Sequence, residues 1–167
     1  MDIDKLIDRV IPPRDYQHRN GFNNVPIIEN LAESERVLLE NALLQKLQSE
    51  AQKEIDTLIV ETLAFLKSVK SVSTLKSLLA QSKDAVIRLR IATAIFEINS
   101  DVEMVDIALS AVKQMDNERD AYYVYKLTAA FYYLAKFKNE KTEQLLKAYT
   151  GHREYLISYN AQKALSG

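Results

Sequence analysis

The chain contains no cysteine and no tryptophan, and it has only three glycines, three prolines and two histidines among its 167 residues. Without cysteine there is no disulfide, no thiol nucleophile and no thiolate metal site, a composition that fits a reducing compartment. So little glycine and proline favours long uninterrupted helices over a turn-rich β fold. An excess of one charge is also missing: 22 basic residues face 23 acidic ones, for a formal net charge of −1. Gripping a nucleic-acid backbone by charge ordinarily takes a basic excess, so nucleic acid is not the expected partner. No apolar run approaches the ~20 residues that span a bilayer. The first segment, MDIDKLIDRVIPP, breaks its apolar residues with acids and does not read as a signal peptide. The expected setting is cytoplasmic, without membrane contact.

What is present reads as one domain of ordinary globular composition, 47% hydrophobic and 27% charged, long enough to bury a sizeable core. Ile3, Leu6, Ile7 and Val10 share one side of a short helix over 2–10, which Pro12 and Pro13 end. Residues 11–31 hold all three prolines, Asn20-Gly21 and Asn23-Asn24, the signals of an irregular arm, either a packed or flexible leader or a contact for a partner. Residues 1–32 are therefore set apart from a helical domain over 33–167.

From Ser34, a candidate N-cap, the pattern is helical almost without a break. Val37, Leu38, Leu43, Leu44 and Leu47 form one apolar stripe, and Ile55, Leu58, Ile59, Thr62, Leu63, Leu66 and Val69 the next. A recurrence then emerges. A helix built on Val72, Leu75, Leu78 and Leu79 precedes one over 84–98. Val102, Val105, Ala108, Leu109 and Val112 precede a helix over 120–134, and Leu145, Leu146 and Tyr149 precede one holding Ile157, Ala161, Ala164 and Leu165. Two helices repeated every 34–36 residues are the mark of a stacked-repeat architecture.

Residues 84–98, DAVIRLRIATAIFEI, carry the sharpest signal. Asp84, Ile87, Arg88, Ile91, Ala92, Ala94, Ile95 and Ile98 fill the pattern D-x-x-V-R-x-x-A-A-x-A-L-x-x-I in order. On these residues the chain resembles the HEAT-like, armadillo-like α-solenoid family. The later repeats are looser: Arg88 becomes Val124 and then Ser158, and Ala92 becomes Thr128 and then Gln162. The resemblance implies an all-α superhelix of stacked antiparallel helix pairs, three fair repeats over 72–166 and a degenerate pair over 33–70. It implies that the second helix of each pair lines a concave face, and that Arg88 bridges to Asp120 or a nearby acid. Burial is expected for Ile87, Ile91, Ala94, Ile95 and Ile98, and for Leu127, Ala130, Phe131 and Leu134.

Catalysis needs convergent reactive groups, and the chain offers few. His18 and His152 form no H-x-x-x-H or H-E pair, and no glycine-rich phosphate loop or G-x-S-x-G motif occurs. The paired His-Glu motifs of HEAT-like hydroxylases are missing, and so is the basic groove of HEAT-like DNA glycosylases. The reading is a non-enzyme without metal or cofactor.

Eight of the nine tyrosines lie between 122 and 159. At 100° per residue, Tyr122, Tyr125, Tyr132 and Tyr133 fall opposite the buried signature. Leu89, Arg90 and Phe96 hold equivalent outward positions on the preceding repeat, and Tyr159 on the following one. Together these eight residues form the candidate partner-binding stripe, because exposed apolar patches mark interaction sites and tyrosine and arginine are favoured anchors. Packing between repeats, base stacking and self-association are the competing readings of the same residues. The functional expectation is a protein-binding repeat protein of immunity, antitoxin or adaptor type. A nucleic-acid-acting enzyme or binder on the same scaffold, and a homo-oligomeric structural protein, are the alternatives.

Overall fold

The computed structural model describes residues 2–50 and 54–167, apart from the side chain of Glu50. Among them are eleven α-helices and no strand: α1 (Ile3–Val10), α2 (Tyr16–Arg19), α3 (Val25–Glu29), α4 (Glu33–Glu50), α5 (Thr57–Phe65), α6 (Val72–Gln81), α7 (Ala85–Asn99), α8 (Glu103–Glu118), α9 (Tyr123–Ala135), α10 (Glu140–Tyr149) and α11 (Tyr155–Ser166). The protein is all-α. None of the described helices is long and apolar enough to cross a membrane.

Local chemistry sets five of the helix starts. Asp2, Asp15, Asp56, Asp84 and Asn139 each accept a backbone N–H of the first turn, the usual way orphan donors are satisfied. The N-cap expected at Ser34 lies two residues earlier, at Ala32. Ser34 sits inside α4, and the Glu35 carboxylate reaches back to the Ala32 N–H at 2.9 Å. That is the return half of a capping box, and it leaves Ser34 no capping role.

Four corners after helices use the left-handed conformation: Lys67, Ser100, Arg119 and Lys138 have φ of 54°, 58°, 41° and 44°. Glycine normally fills such corners, but the chain's glycines lie elsewhere.

The arm expected to be irregular contains α2 and α3, and it is pinned down. Ile28 is fully buried. The Asn24 amide donates to the Val10 carbonyl at 3.1 Å and to Thr62 Oγ1 at 2.8 Å, tying α1 and the arm to α5. Short polar bonds of this kind are invisible to periodicity, which is why the sequence reads as loop.

Packing follows chain order. α5 packs on α7, α7 on α9 and α9 on α11, while α6, α8 and α10 each pack on the helix that follows them; α8 also touches α10. One buried cluster runs from Leu6 and Val10 of α1 to Ile157 and Ala161 of α11.

The expected stripe of α4 is shifted: Leu39, Leu43 and Leu47 are buried, but Val37 and Leu38 are exposed. In α7, Ile91, Ala94 and Ile95 are buried as expected, and Ile87 and Ile98 are half-buried. Leu127, Ala130, Phe131 and Leu134 are all buried. Leu89, assigned to the outward stripe, is only 1% exposed. The cause is tertiary. α7 is packed by α5, α6, α8 and α9 at once, so its face opposite the signature is covered too.

Candidate interaction face

α9 reads YVYKLTAAFYYLA and α11 reads YLISYNAQKALS. Neither helix contains an aspartate or glutamate, although the chain has 23 acidic residues. α8, behind them, carries four: Glu103, Asp106, Asp116 and Glu118. Charge is thus segregated by helix in a molecule that is almost neutral overall.

Burial of Leu127, Ala130, Phe131 and Leu134 fixes the rotation of α9, and positions 122, 125, 129, 132 and 136 then share the opposite side. Tyr122, Tyr125 and Tyr132 are 68%, 68% and 64% exposed. On α11, Tyr155 and Tyr159 are exposed and stack on each other with ring centroids 5.8 Å apart. Lys136 sits 5.1 Å from the Tyr132 ring and 3.4 Å from Glu97, so its charge is already engaged. Lys126 is likewise paired with Asp120. That pair, together with the bond from the Tyr122 N–H to Asp120, occupies the acid expected to meet Arg88. Arg88 donates instead to Gln114 at 3.4 Å.

Of the eight candidate contact residues, Tyr122, Tyr125, Tyr132 and Tyr159 lie on the surface. Arg90 and Phe96 are half-buried, with Phe96 against the Phe137 ring at 4.7 Å. Leu89 and Tyr133 are buried and leave the set. Tyr155 and Leu156, both exposed, join it. Leu156 already shared the outward phase in the sequence, but Tyr155 opens its helix, where phase carries little information.

Tyr133 has a different role. Its hydroxyl donates to Glu61 Oε1 at 2.6 Å, and Arg90 Nη1 donates to the same oxygen at 3.3 Å and to Thr57 Oγ1 at 2.8 Å. The guanidinium lies 5.1 Å from the centre of the Tyr133 ring. Burial, reinforced by the Glu61 charge, pushes the Tyr133 hydroxyl well above the ordinary phenol range. It therefore stays a donor, and the group acts as a polar bolt through α5, α7 and α9.

This bolt borders a cleft of about 740 Å³ that also receives Arg14, Arg19 and Asp56. Asp56 is 5% exposed. Arg19 grips both its oxygens, at 3.0 and 2.9 Å, and Arg14 Nε lies 3.1 Å away. Burial pushes the Asp56 carboxyl up, and hydrogen bonds from Arg19 and Arg14 more than offset this, leaving it below the usual carboxylate range. The cleft's cations are matched by its own acids. No spacing rule could have joined residues 19 and 56.

The histidines serve turns: His18 lies 2.7 Å from Asp15, and His152 Nδ1 accepts the Glu154 N–H at 3.0 Å. Among the described residues, no three acidic or histidine side chains gather as metal ligands would. Comparison with known proteins found no matching family model, no similar curated protein and no matching solved structure.

Proposed function

We propose that the chain is a non-catalytic, HEAT-like repeat protein that binds a protein partner through the face made by α9 and α11. The architectural part is supported by the 34–36-residue recurrence and by the order of packing, in which α5, α7, α9 and α11 form one row with α6, α8 and α10 behind it. In a HEAT-like stack that row is the concave one. The single observation carrying the function is the set of five exposed tyrosines: 125, 132, 155 and 159 on two adjacent helices that bear no acid, and 122 at the N-cap of α9. Tyrosine supplies large, stiff contact area with a polar tip, which makes it a favoured interface anchor. The arginines of the neighbouring cleft are already engaged with its own acids, which supports a binding role over a catalytic one. A small repeat protein with such a face fits an immunity, antitoxin or adaptor role.

The test is affinity capture from cells of the native host with wild type and with Tyr122→Ala/Tyr125→Ala. The wild type should retain a discrete partner, and the variant should lose it with an unchanged helical spectrum. An interface anchored here would weaken by about 2 kcal/mol or more, roughly 30-fold. Equal recovery by both proteins would overturn the proposal.

A further inference from the structure

The tyrosine face ends in a groove of about 780 Å³ where α9, α10 and α11 meet. Its apolar lining includes Leu146, Ala164 and Leu165. Tyr132 stands at its edge, so the groove continues the face just described. Four charged side chains line it: Lys136, Lys138 and Lys163, against one acid, Glu143. Lys136 is engaged by Glu97, but neither Lys138 nor Lys163 has an acidic partner among the described residues. Two of the three helices that form the groove contain no acid at all.

We infer that this groove is the anchor site of the interaction face and that its occupant is an acidic protein segment carrying aliphatic side chains. The inference rests on the reading of α9 and α11 as a binding face. An aliphatic side chain gains by leaving water against Ala135, Ala164 and Leu165, which are half-buried, over the buried Leu146. Carboxylates flanking it would meet two ammonium groups without an acidic side-chain partner and one acidic side chain, Glu143, which favours acidic over basic partners and speeds encounter. A single-stranded nucleic acid fits less well. It brings a phosphate with every nucleotide, two free cations match few of them, and the lining is aliphatic rather than a series of stacking rings.

The experiment uses the full chain and three fluorescein-labelled probes, followed by anisotropy at about 0.15 M salt, where long-range attraction is largely screened. The first probe is an amphipathic peptide with leucine at every third or fourth position and glutamate between. The second has lysine in place of each glutamate, and the third is an oligothymidylate of matched length. The glutamate peptide should bind, the lysine peptide should bind at least tenfold more weakly, and Lys138→Glu/Lys163→Glu should lose tenfold or more for the glutamate peptide. Both lysines are exposed, and an unchanged thermal transition confirms that the variant is folded. No binding of the glutamate peptide, equal binding of the two peptides, preference for the oligonucleotide, or full affinity in the lysine variant each overturns the inference. The capture experiment separates the two levels. If Tyr122→Ala/Tyr125→Ala loses the partner while Lys138→Glu/Lys163→Glu keeps it, the groove falls and the binding face stands. If neither loses it, both fall.

Discussion

Asp56 concentrates more of the fold's polar chemistry than any neighbouring residue. It caps α5 through the Leu58 N–H at 3.0 Å and compensates Arg14 and Arg19 from a position shielded from water. Asp56→Ala should cost about 2–4 kcal/mol, because it removes a cap and leaves the half-buried Arg19 guanidinium without its acid, while Arg14 keeps Glu54 at 3.0 Å. The pH dependence has a definite sign. The folded carboxyl lies below its unfolded value, so its contribution is complete above the unfolded value of about 3.9 and fades as pH falls through the lower folded value. Urea midpoints of wild type and Asp56→Asn should therefore differ at pH 7 and converge below about pH 4. A gap that stays constant to low pH would show that charge plays no part. At this scale the sequence is legible in places. Tyr122, Tyr125, Tyr132 and Tyr159 follow from helical phase, although the same phase puts the buried Tyr133 outside and says nothing of Tyr155. The pairing of Arg19 with Asp56, or of Tyr133 with Glu61, spans stretches of chain that no local pattern connects. Leu89 shows the same limit from the other side: its phase points outward, and only the neighbours of α7 bury it.

Helices were easier to read than their ends. The stretch expected as helix over 84–98 is α7, Ala85–Asn99, because Asp84 caps it and a continuous apolar pattern fills it. The end of α7 is less obvious, since Ser100 takes the left-handed corner with φ 58° and gives its N–H to the Phe96 carbonyl at 2.8 Å. A side chain there strains the backbone, which is why glycine is usual. Ser100 is exposed, so Ser100→Gly removes strain without opening a cavity. It should stabilise by about 0.5–1 kcal/mol, the net of relieved strain and the added freedom of glycine in the unfolded chain. A lower melting temperature would contradict that corner geometry. Ala94 tests the inside of the same helix. It is 2% exposed, where α7 is crossed by its neighbours, so Ala94→Leu should cost roughly 1–3 kcal/mol by overpacking. An unchanged denaturation midpoint would mean that the register of α7 is wrong. The short helices α2 and α3 escaped a sequence reading because their order comes from Asn24, Arg19 and Ile28 finding partners far along the chain.

Across the whole molecule the question is whether the packed helices unfold together or piecemeal. Where helices contact mainly their neighbours in the chain, the ends can melt independently. Two features work against that here. The buried cluster is continuous from α1 to α11, and the Glu61–Tyr133 bond joins α5 directly to α9, three helices further along the chain. The tyrosine distribution provides an internal probe. Eight of nine lie between 122 and 159 and tryptophan is absent, so tyrosine fluorescence reports the C-terminal half while far-ultraviolet circular dichroism reports every helix. Arg19→Ala perturbs the opposite end, where it frees one side of Asp56 and loosens the arm from α5. If folding is one cooperative event, both signals of the wild type should share a single midpoint. Arg19→Ala should then move them down together, by about 4–8 °C for each kcal/mol in a 60–100-residue domain and by less in a longer one such as this. A fluorescence midpoint that stays fixed while the helical signal falls would mean that the polar bolt between α5 and α9 does not couple the two halves. The tyrosine face would then belong to a C-terminal unit that keeps its shape whatever happens to the arm.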